Sequence, residues 1–140
     1  IVPQLFSDGL SMYIAGTGDW NHEKILEDNK VYLKNVVFES EYYPNDNDPA
    51  YTALKEALKK SKFKLSKNFL FGYDTGKLIF KLISEGAKTR EALNTSLKNL
   101  VNYDAIKSKI SLDYHGINSE LNILRYDDGI KLVETYKLSK

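Results

Sequence analysis

Hydrophobic positions in the first part of the chain follow a strand, helix, strand pattern. An apolar run at residues 10–16 predicts a strand, and residues 22–29 carry apolar side chains at the spacing of a short helix. The unbroken Val-Val-Phe centre of residues 35–39 is typical of a strand covered on both faces, as in parallel sheets. Together these segments predict a βαβ unit with a right-handed crossover.

The middle of the chain shows helical periodicity in three segments. Residues 49–62 predict a helix with Asp48 as its N-cap and a proline at its first position. Residues 68–85 are so apolar that this helix is expected to be buried on most sides, and a glycine follows it. Thr89 is expected to cap a third helix, which continues to about residue 101.

The last part of the chain changes to a period of two, which predicts strands at residues 109–113, 121–126 and 130–136. The dipeptide Asp128-Gly129 lies between the last two and predicts an antiparallel hairpin. The fold class is therefore α/β, with a βαβ unit, three helices and a C-terminal antiparallel hairpin.

The stretch Ala15-Gly16-Thr17-Gly18-Asp19-Trp20-Asn21 joins the first strand to the first helix. Such a position is where α/β proteins place ligands, and glycines let the backbone approach a ligand closely. Free N–H groups at the following helix turn could bind an anion. The alternative is an ordinary tight turn, with Asp19 or Asn21 as the N-cap. Local chemistry leaves both interpretations open.

Composition narrows the function classes. The chain has 140 residues and a net charge of +1, so no global field attracts nucleic acid or a membrane surface. There is no Cys, which excludes disulfides, thiolate catalysis and Cys-based zinc sites. No apolar run is long enough to span a membrane, and no signal peptide is visible. The apolar start at Ile1, without Met, suggests a fragment or a processed chain.

Motifs for catalysis or cofactor binding are missing from the sequence. No P-loop, GxSxG, HExxH or GxGxxG pattern occurs, and His22 and His115 stand apart. The polar loop at residues 45–49 is not a calcium loop, because Ala50 stands where such a loop needs glycine. We therefore expect a binding protein and not an enzyme, with no cofactor and no metal site.

Five short motifs follow one another along the chain: Gly16-Thr17-Gly18-Asp19-Trp20-Asn21, Asn35-Val36-Val37-Phe38, Gly72-Tyr73-Asp74, Thr89-Arg90-Glu91-Ala92-Leu93, and Leu124-Arg125-Tyr126-Asp127-Asp128-Gly129. In this order the sequence resembles the type I periplasmic binding proteins. The similarity is to the branched-chain amino-acid (Leu/Ile/Val) family of ABC transporter substrate-binding proteins. Since members are more than twice as long, the resemblance implies the C-terminal portion of a partial type I periplasmic-binding-protein fold.

The resemblance implies a two-lobed receptor that closes like a hinge on a small ligand. Residues 1–39 and 120–140 would belong to the second lobe. Residues 49–112 would supply helices of the first lobe, and the crossovers would lie at residues 40–48 and 113–119. Edges left uncovered by missing strands would favour either a homodimer of the fragment or helices packed locally on the C-terminal strands.

The resemblance also implies where a ligand would bind. In the family, the turn after the first strand supplies an acidic or polar group to the ligand's amino group. The aligned position here is Gly18, which departs from the Glu of the amino-acid binders, with Asp19 next to it. Thr17 and Trp20 would complete that wall, and Tyr73 would face the ligand from the other lobe. The neighbouring Asp74 is expected to be a structural hydrogen-bonding or capping residue.

Two functions are consistent with the resemblance. The first is an extracytoplasmic solute-binding receptor of an ABC importer, with a small polar ligand such as an amino acid and an ABC permease as partners. The second is a binding-protein-like envelope lipoprotein that regulates a cell-wall synthase through protein contacts. Either function implies the bacterial periplasm or the cell envelope, and neither involves nucleic acid.

Overall fold

The computed structural model describes residues 2–9 and 12–138 and confirms the mixed α/β class. The helices are α1 (Val2–Ser7), α2 (Glu23–Asp28), α3 (Pro49–Lys59), α4 (Lys67–Ser84) and α5 (Arg90–Lys98). The strands are β1 (Ile14–Gly16), β2 (Val36–Ser40), β3 (Tyr103–Asp104), β4 (Lys109–Ile110), β5 (Glu120–Tyr126) and β6 (Ile130–Lys137).

The chain divides into two compact units. The first unit contains the chain up to Tyr42 together with Leu121–Lys137, and the second contains Tyr43–Glu120 with Leu138. A four-stranded sheet in the order β1-β2-β5-β6 lies in the first unit, and β3 pairs with β4 in the second. The assignment of these units to the lobes of a receptor remains a prediction.

The βαβ unit expected from the sequence is present. Strand β1 pairs with β2 in parallel, with Ala15 opposite Val37, and β2 pairs with β5 in antiparallel orientation. Along β2, Phe38 and its alternate neighbours are buried while Val37 and Glu39 are half-buried, so both faces are at least partly covered. This burial matches the continuous apolar centre of the strand.

The first strand is shorter than the sequence pattern predicts. It begins at Ile14, where the Ile14 N–H donates to the Asn35 carbonyl at 3.0 Å. Tyr13, expected inside the strand, is 90% exposed and lies outside it. Leu10, the first residue of the predicted strand, is outside the described residues. The length of an apolar run therefore overestimates the length of a strand where no sheet or helix covers its side chains.

Three side-chain caps begin the helices of the second unit. Asp48 accepts the Ala50 N–H at 2.8 Å, with Pro49 at the first helical position, as predicted. Thr89 accepts the Ala92 N–H at 3.1 Å, also as predicted, and Ser66 caps α4 in the same way. The C-terminal ends were predicted too far along the chain, since α3 ends at Lys59 and α5 at Lys98.

Helix α4 buries one face only, so the expectation of burial on most sides is wrong. Leu70, Leu78 and Leu82 are buried, whereas Phe80 is 76% exposed. The buried face joins a core that also holds α5 and β4. Its buried members are Leu78, Leu82, Ala87, Leu100 and Ile110.

Of the three strands predicted in the last part of the chain, only the first differs much from its predicted bounds. The strand expected at residues 109–113 is only the short β4, which pairs antiparallel with β3, a strand that the sequence reading missed. The turn between β5 and β6 is where it was predicted. Asp128 has φ 48° and Gly129 has φ 124°, the left-handed conformation that an Asp-Gly turn accommodates.

Candidate functional site

The Gly16–Asn21 turn lies where two parallel strands end. β1 ends at Gly16, and the chain then forms a 3₁₀ turn at Gly18–Trp20 before α2 begins. Because β1 and β2 are parallel, their carboxyl ends meet at one edge of the sheet. That edge is the usual position of a ligand in an α/β sheet.

Four N–H groups at this turn are already engaged within the protein. The Gly18 N–H donates to Oε1 of Glu39 at 2.7 Å, and the Trp20 N–H donates to the Thr17 carbonyl at 2.9 Å. Asn21 and His22 donate their N–H groups to carbonyls of the same turn. At the Gly18 N–H, a carboxylate of the protein therefore occupies the position that an external anion would take.

Neither residue expected to cap α2 does so. The N-cap is His22, whose side chain accepts no capping hydrogen bond. The Asn21 amide instead donates to Oγ of Ser40 at 2.8 Å and to the Tyr42 carbonyl at 2.6 Å. Ser40 is buried at the end of β2, so this network ties the turn to the neighbouring strand.

Trp20 packs directly on the glycine that ends β1. A Cβ at Gly16 would lie only 2.4 Å from Cδ2 of Trp20, which is a clash. Glycine fits at this position because it has no Cβ. The half-buried indole also lines a cavity of about 430 Å³ in the first unit, within the size range of small-ligand pockets. Its walls are mainly apolar and are formed by Pro3, Asp19, Trp20, His22, Ile25, Leu26, Asn29 and Leu33.

The structure brings four of the five predicted ligand-binding residues together. Thr17 and Asp19 are exposed on the turn, Gly18 is half-buried next to Glu39 of β2, and Trp20 is half-buried against Gly16. Their role as ligand contacts remains a prediction.

Tyr73, the fifth predicted residue, lies on α4 in the second unit. Its ring stacks on Phe69 with centroids 6.2 Å apart, and Nζ of Lys77 lies 5.6 Å from the ring centroid. Its half-buried position leaves part of the ring open to a ligand, and that contact also remains a prediction.

Asp74 is a structural residue, in agreement with the expectation. Its carboxylate is 1% exposed and accepts the N–H groups of Ile106 and Lys107 at 3.0 and 2.8 Å. These bonds fix the segment before β4 onto α4, because each carboxylate oxygen satisfies one backbone donor.

Glu39 is the residue at this edge that the sequence reading missed. The hydrophobic pattern places it in a strand. The available signal was a carboxylate at the end of an apolar strand, one βαβ step from the glycine turn. In parallel strands these two positions are neighbours, so Glu39 belongs among the candidate site residues.

A hydrogen bond to a carboxylate joins α2 and β5 in the first unit. The Tyr126 hydroxyl donates to the Glu27 carboxylate, and this bond raises the pKa of Tyr126 to about 12. Lys30 also pairs with Glu27 at 2.8 Å, and the hydrogen bonds from Lys30 and then Tyr126 lower the pKa of Glu27. These groups stabilise the position of α2 on β5.

The polar loop before α3 has contacts of its own. Asp46 pairs with Lys55 at 2.7 Å, and the Asn45 side chain accepts the Asn47 N–H, so the polar loop before α3 is held by its own contacts. Across residues 2–9 and 12–138, no group of three His, Cys, Asp or Glu side chains could hold a metal ion. Within those ranges, no helix is long and apolar enough to cross a membrane.

Comparison with known proteins identifies the fold. A leucine-binding protein of Thermotoga maritima matches with a TM-score of 0.63 and 16% identity over 96% of this chain. An extracellular ligand-binding receptor of Desulfohalobium retbaense matches with a TM-score of 0.60 and 15% identity over 95%. A branched-chain amino-acid transporter substrate-binding protein of Streptococcus pneumoniae, in complex with isoleucine, matches with a TM-score of 0.55 and 18% identity over 98%.

These similarities extend over the whole chain but over only part of the solved proteins. The chain spans 40%, 24% and 40% of their respective lengths. No family profile matches the sequence, and no curated protein matches it. The chain therefore has part of the type I periplasmic-binding-protein fold, and the predicted resemblance is confirmed at the level of the fold.

Proposed function

We propose that this protein is an extracytoplasmic solute-binding receptor that supplies an amino acid or a similar small polar ligand to an ABC importer. The observation that carries the proposal is the position of the Gly16–Asn21 turn, at the shared carboxyl edge of β1 and β2. In an α/β fold this edge is the default place for a ligand.

The ligand class is inferred from the solved proteins that share the fold. One is named as a leucine-binding protein, and another was solved with isoleucine bound. The polar turn beside an apolar cavity supports the same class, since a small amino acid needs both charged and apolar contacts.

We assign ligand contacts in the first unit to the exposed Thr17 and Asp19, to the Gly18 carbonyl and to Trp20. Tyr73 of α4 is kept as a separate proposed ligand contact. The mechanism proposed is closure on the ligand. A ligand drives such closure only to the extent that it binds the closed state more tightly than the open one.

The proposal is for binding and not for catalysis. The sequence has no Cys and no recognisable pairing of a nucleophile with a base. The residues on the turn offer hydrogen bonds, an aromatic surface and carboxylates, which are the groups that a binding site uses to orient a ligand.

Isothermal titration calorimetry on the protein expressed from its complete coding sequence tests the proposal. The panel consists of the common L-amino acids, their amides and short carboxylic acids. Saturable binding of at least one panel member is expected, weakened at least tenfold in Trp20→Ala. A folded protein that binds no panel member would contradict the proposal and would favour the regulator of a cell-wall synthase.

A further inference from the structure

Glu39 lies near the carboxyl end of β2, beside the glycine turn that follows β1. Its Oε1 accepts the Gly18 N–H at 2.7 Å, and the side chain is half-buried at the end of β2. A Cβ at Gly18 would be 3.5 Å from Oε1 and 3.6 Å from the Glu39 carbonyl, so the turn lies directly over this residue. The carboxylate is therefore held in place by the same turn that is proposed to meet the ligand.

Only one oxygen of the Glu39 carboxylate, Oε1, accepts a hydrogen bond from the described part of the protein. Among residues 2–9 and 12–138, Oε2 of Glu39 accepts no hydrogen bond and forms no ion pair. A carboxylate has about four acceptor positions, and a single backbone N–H uses one of them. A partly buried, singly bonded carboxylate is stabilised by a further donor, most strongly by a charged one.

We infer that Glu39 binds the protonated amino group of the ligand through Oε2, while Oε1 remains bonded to Gly18. This inference rests on the proposed function and identifies the chemical group that the ligand must carry. An ammonium group is a compact cation with three N–H donors, so one can bond Oε2 and the others remain for the turn.

Glu39 supplies an acidic group beside a turn position that has no side chain of its own. The resemblance implies an acidic or polar group at the position of Gly18 for contact with an amino group. In this chain the acid comes from the next strand and reaches the same turn, where it accepts the Gly18 N–H. The ligand's charge would thus be matched by a residue of β2.

Glu39→Gln tests this role without removing the bond to the turn. The Gln carbonyl oxygen can still accept the Gly18 N–H, while the amide nitrogen replaces Oε2 and cannot accept from an ammonium group. Glu134→Gln is the matched control, because Glu134 is an exposed acid on β6 in the same unit. Trp20 fluorescence verifies that the turn keeps its structure in both variants.

The probes are the tightest-binding amino acid of the panel, the 2-hydroxy acid with the same side chain, and the primary amine that lacks its carboxylate. We expect Glu39→Gln to weaken binding of the amino acid and of the amine by about tenfold to a hundredfold. Binding of the hydroxy acid should be unchanged in this variant. Glu134→Gln should bind all three probes as the wild type does.

The outcomes separate the inference from the proposed function. If the wild type binds the amino acid and Glu39→Gln binds it equally well, the inference is overturned and the receptor function stands. Equal weakening of the amino acid and the hydroxy acid also overturns it, since Glu39 would then only position the turn. If the folded wild type binds no amino acid, the proposed function fails and this inference fails with it.

Discussion

The indole of Trp20 lies against the backbone of Gly16 so closely that no side chain fits between them. A Cβ at Gly16 would meet three ring atoms of Trp20, the nearest at 2.4 Å and the others at 2.7 and 2.8 Å. All three distances are below 3.0 Å, so the ring or the backbone would have to shift to admit a Cβ. The glycine that ends β1 is thus required by the aromatic residue at the end of the following 3₁₀ turn.

Gly16→Ala is therefore expected to destabilise the first unit by about 1–3 kcal/mol, the usual range for overpacking. Urea unfolding followed by circular dichroism gives the change. Trp20 is the only Trp of the chain, so its fluorescence reports directly on the displaced ring. Gly72→Ala on α4 is the control, because its Cβ would meet nothing within 4 Å. The control should raise stability by about 0.5–1 kcal/mol, whereas equal stability of the two variants would contradict the packing.

Asn21→Asp should loosen the turn from β2. The Asn21 amide donates to Oγ of Ser40 and to the Tyr42 carbonyl, and an ionised carboxylate can donate to neither. The expected loss is about 1–3 kcal/mol in urea unfolding. Asn47→Asp makes the same change at an exposed loop position and should remain within about 0.5 kcal/mol of the wild type. Two variants of equal stability would show that the network contributes nothing.

Local signals predicted the elements well. The sequence placed Asp48 and Thr89 correctly as caps, because a cap depends on residues two or three positions away. It also predicted the parallel pairing of the first two strands and the Asp128-Gly129 turn, which follow from hydrophobic pattern and turn chemistry.

Contacts distant in the sequence were the ones that could not be predicted. Asn21 is a good cap by type, but it bonds to Ser40 at the end of the next strand. Glu39 has no local signature of a site residue, and its contact with Gly18 depends on the strand pairing. The burial of α4 was mispredicted for the same reason. The sequence of a highly apolar helix does not specify which of its faces other elements cover.

Asp74→Ala should uncouple α4 from the segment before β4. The change removes the acceptor for the buried Ile106 and Lys107 N–H groups, and each unsatisfied donor costs roughly 1–3 kcal/mol. Amide hydrogen exchange should show lost protection at both positions. Asp48→Ala removes an exposed helix cap instead and should lower stability by about 1 kcal/mol. Unchanged protection at Ile106 and Lys107 would disprove the role of Asp74.

The Tyr126–Glu27 hydrogen bond predicts how the stability of the first unit varies with pH. The folded-state pKa of Tyr126 is raised from 10.0 to about 12, so its contribution is complete below pH 10 and is lost as the pH rises through about 12. The pKa of Glu27 is lowered from 4.5, so its contribution is present above that value and is lost as the pH falls below it. The contribution of the pair is therefore largest between these limits.

Titration of tyrosinate absorbance checks the alkaline limit. One tyrosine of the wild type should ionise near pH 12, and Tyr126→Phe should remove that step from the titration curve. Glu27→Gln should return the pKa of Tyr126 toward its ordinary value, since the bond to the carboxylate is the main cause of the shift. Lys30→Gln is the matched control. It removes the largest influence on the pKa of Glu27 but leaves the carboxylate that Tyr126 contacts, so the alkaline step should persist. If the tyrosine that Tyr126→Phe removes instead ionises near pH 10 in the wild type, like an ordinary tyrosine, the hydrogen bond is absent in solution.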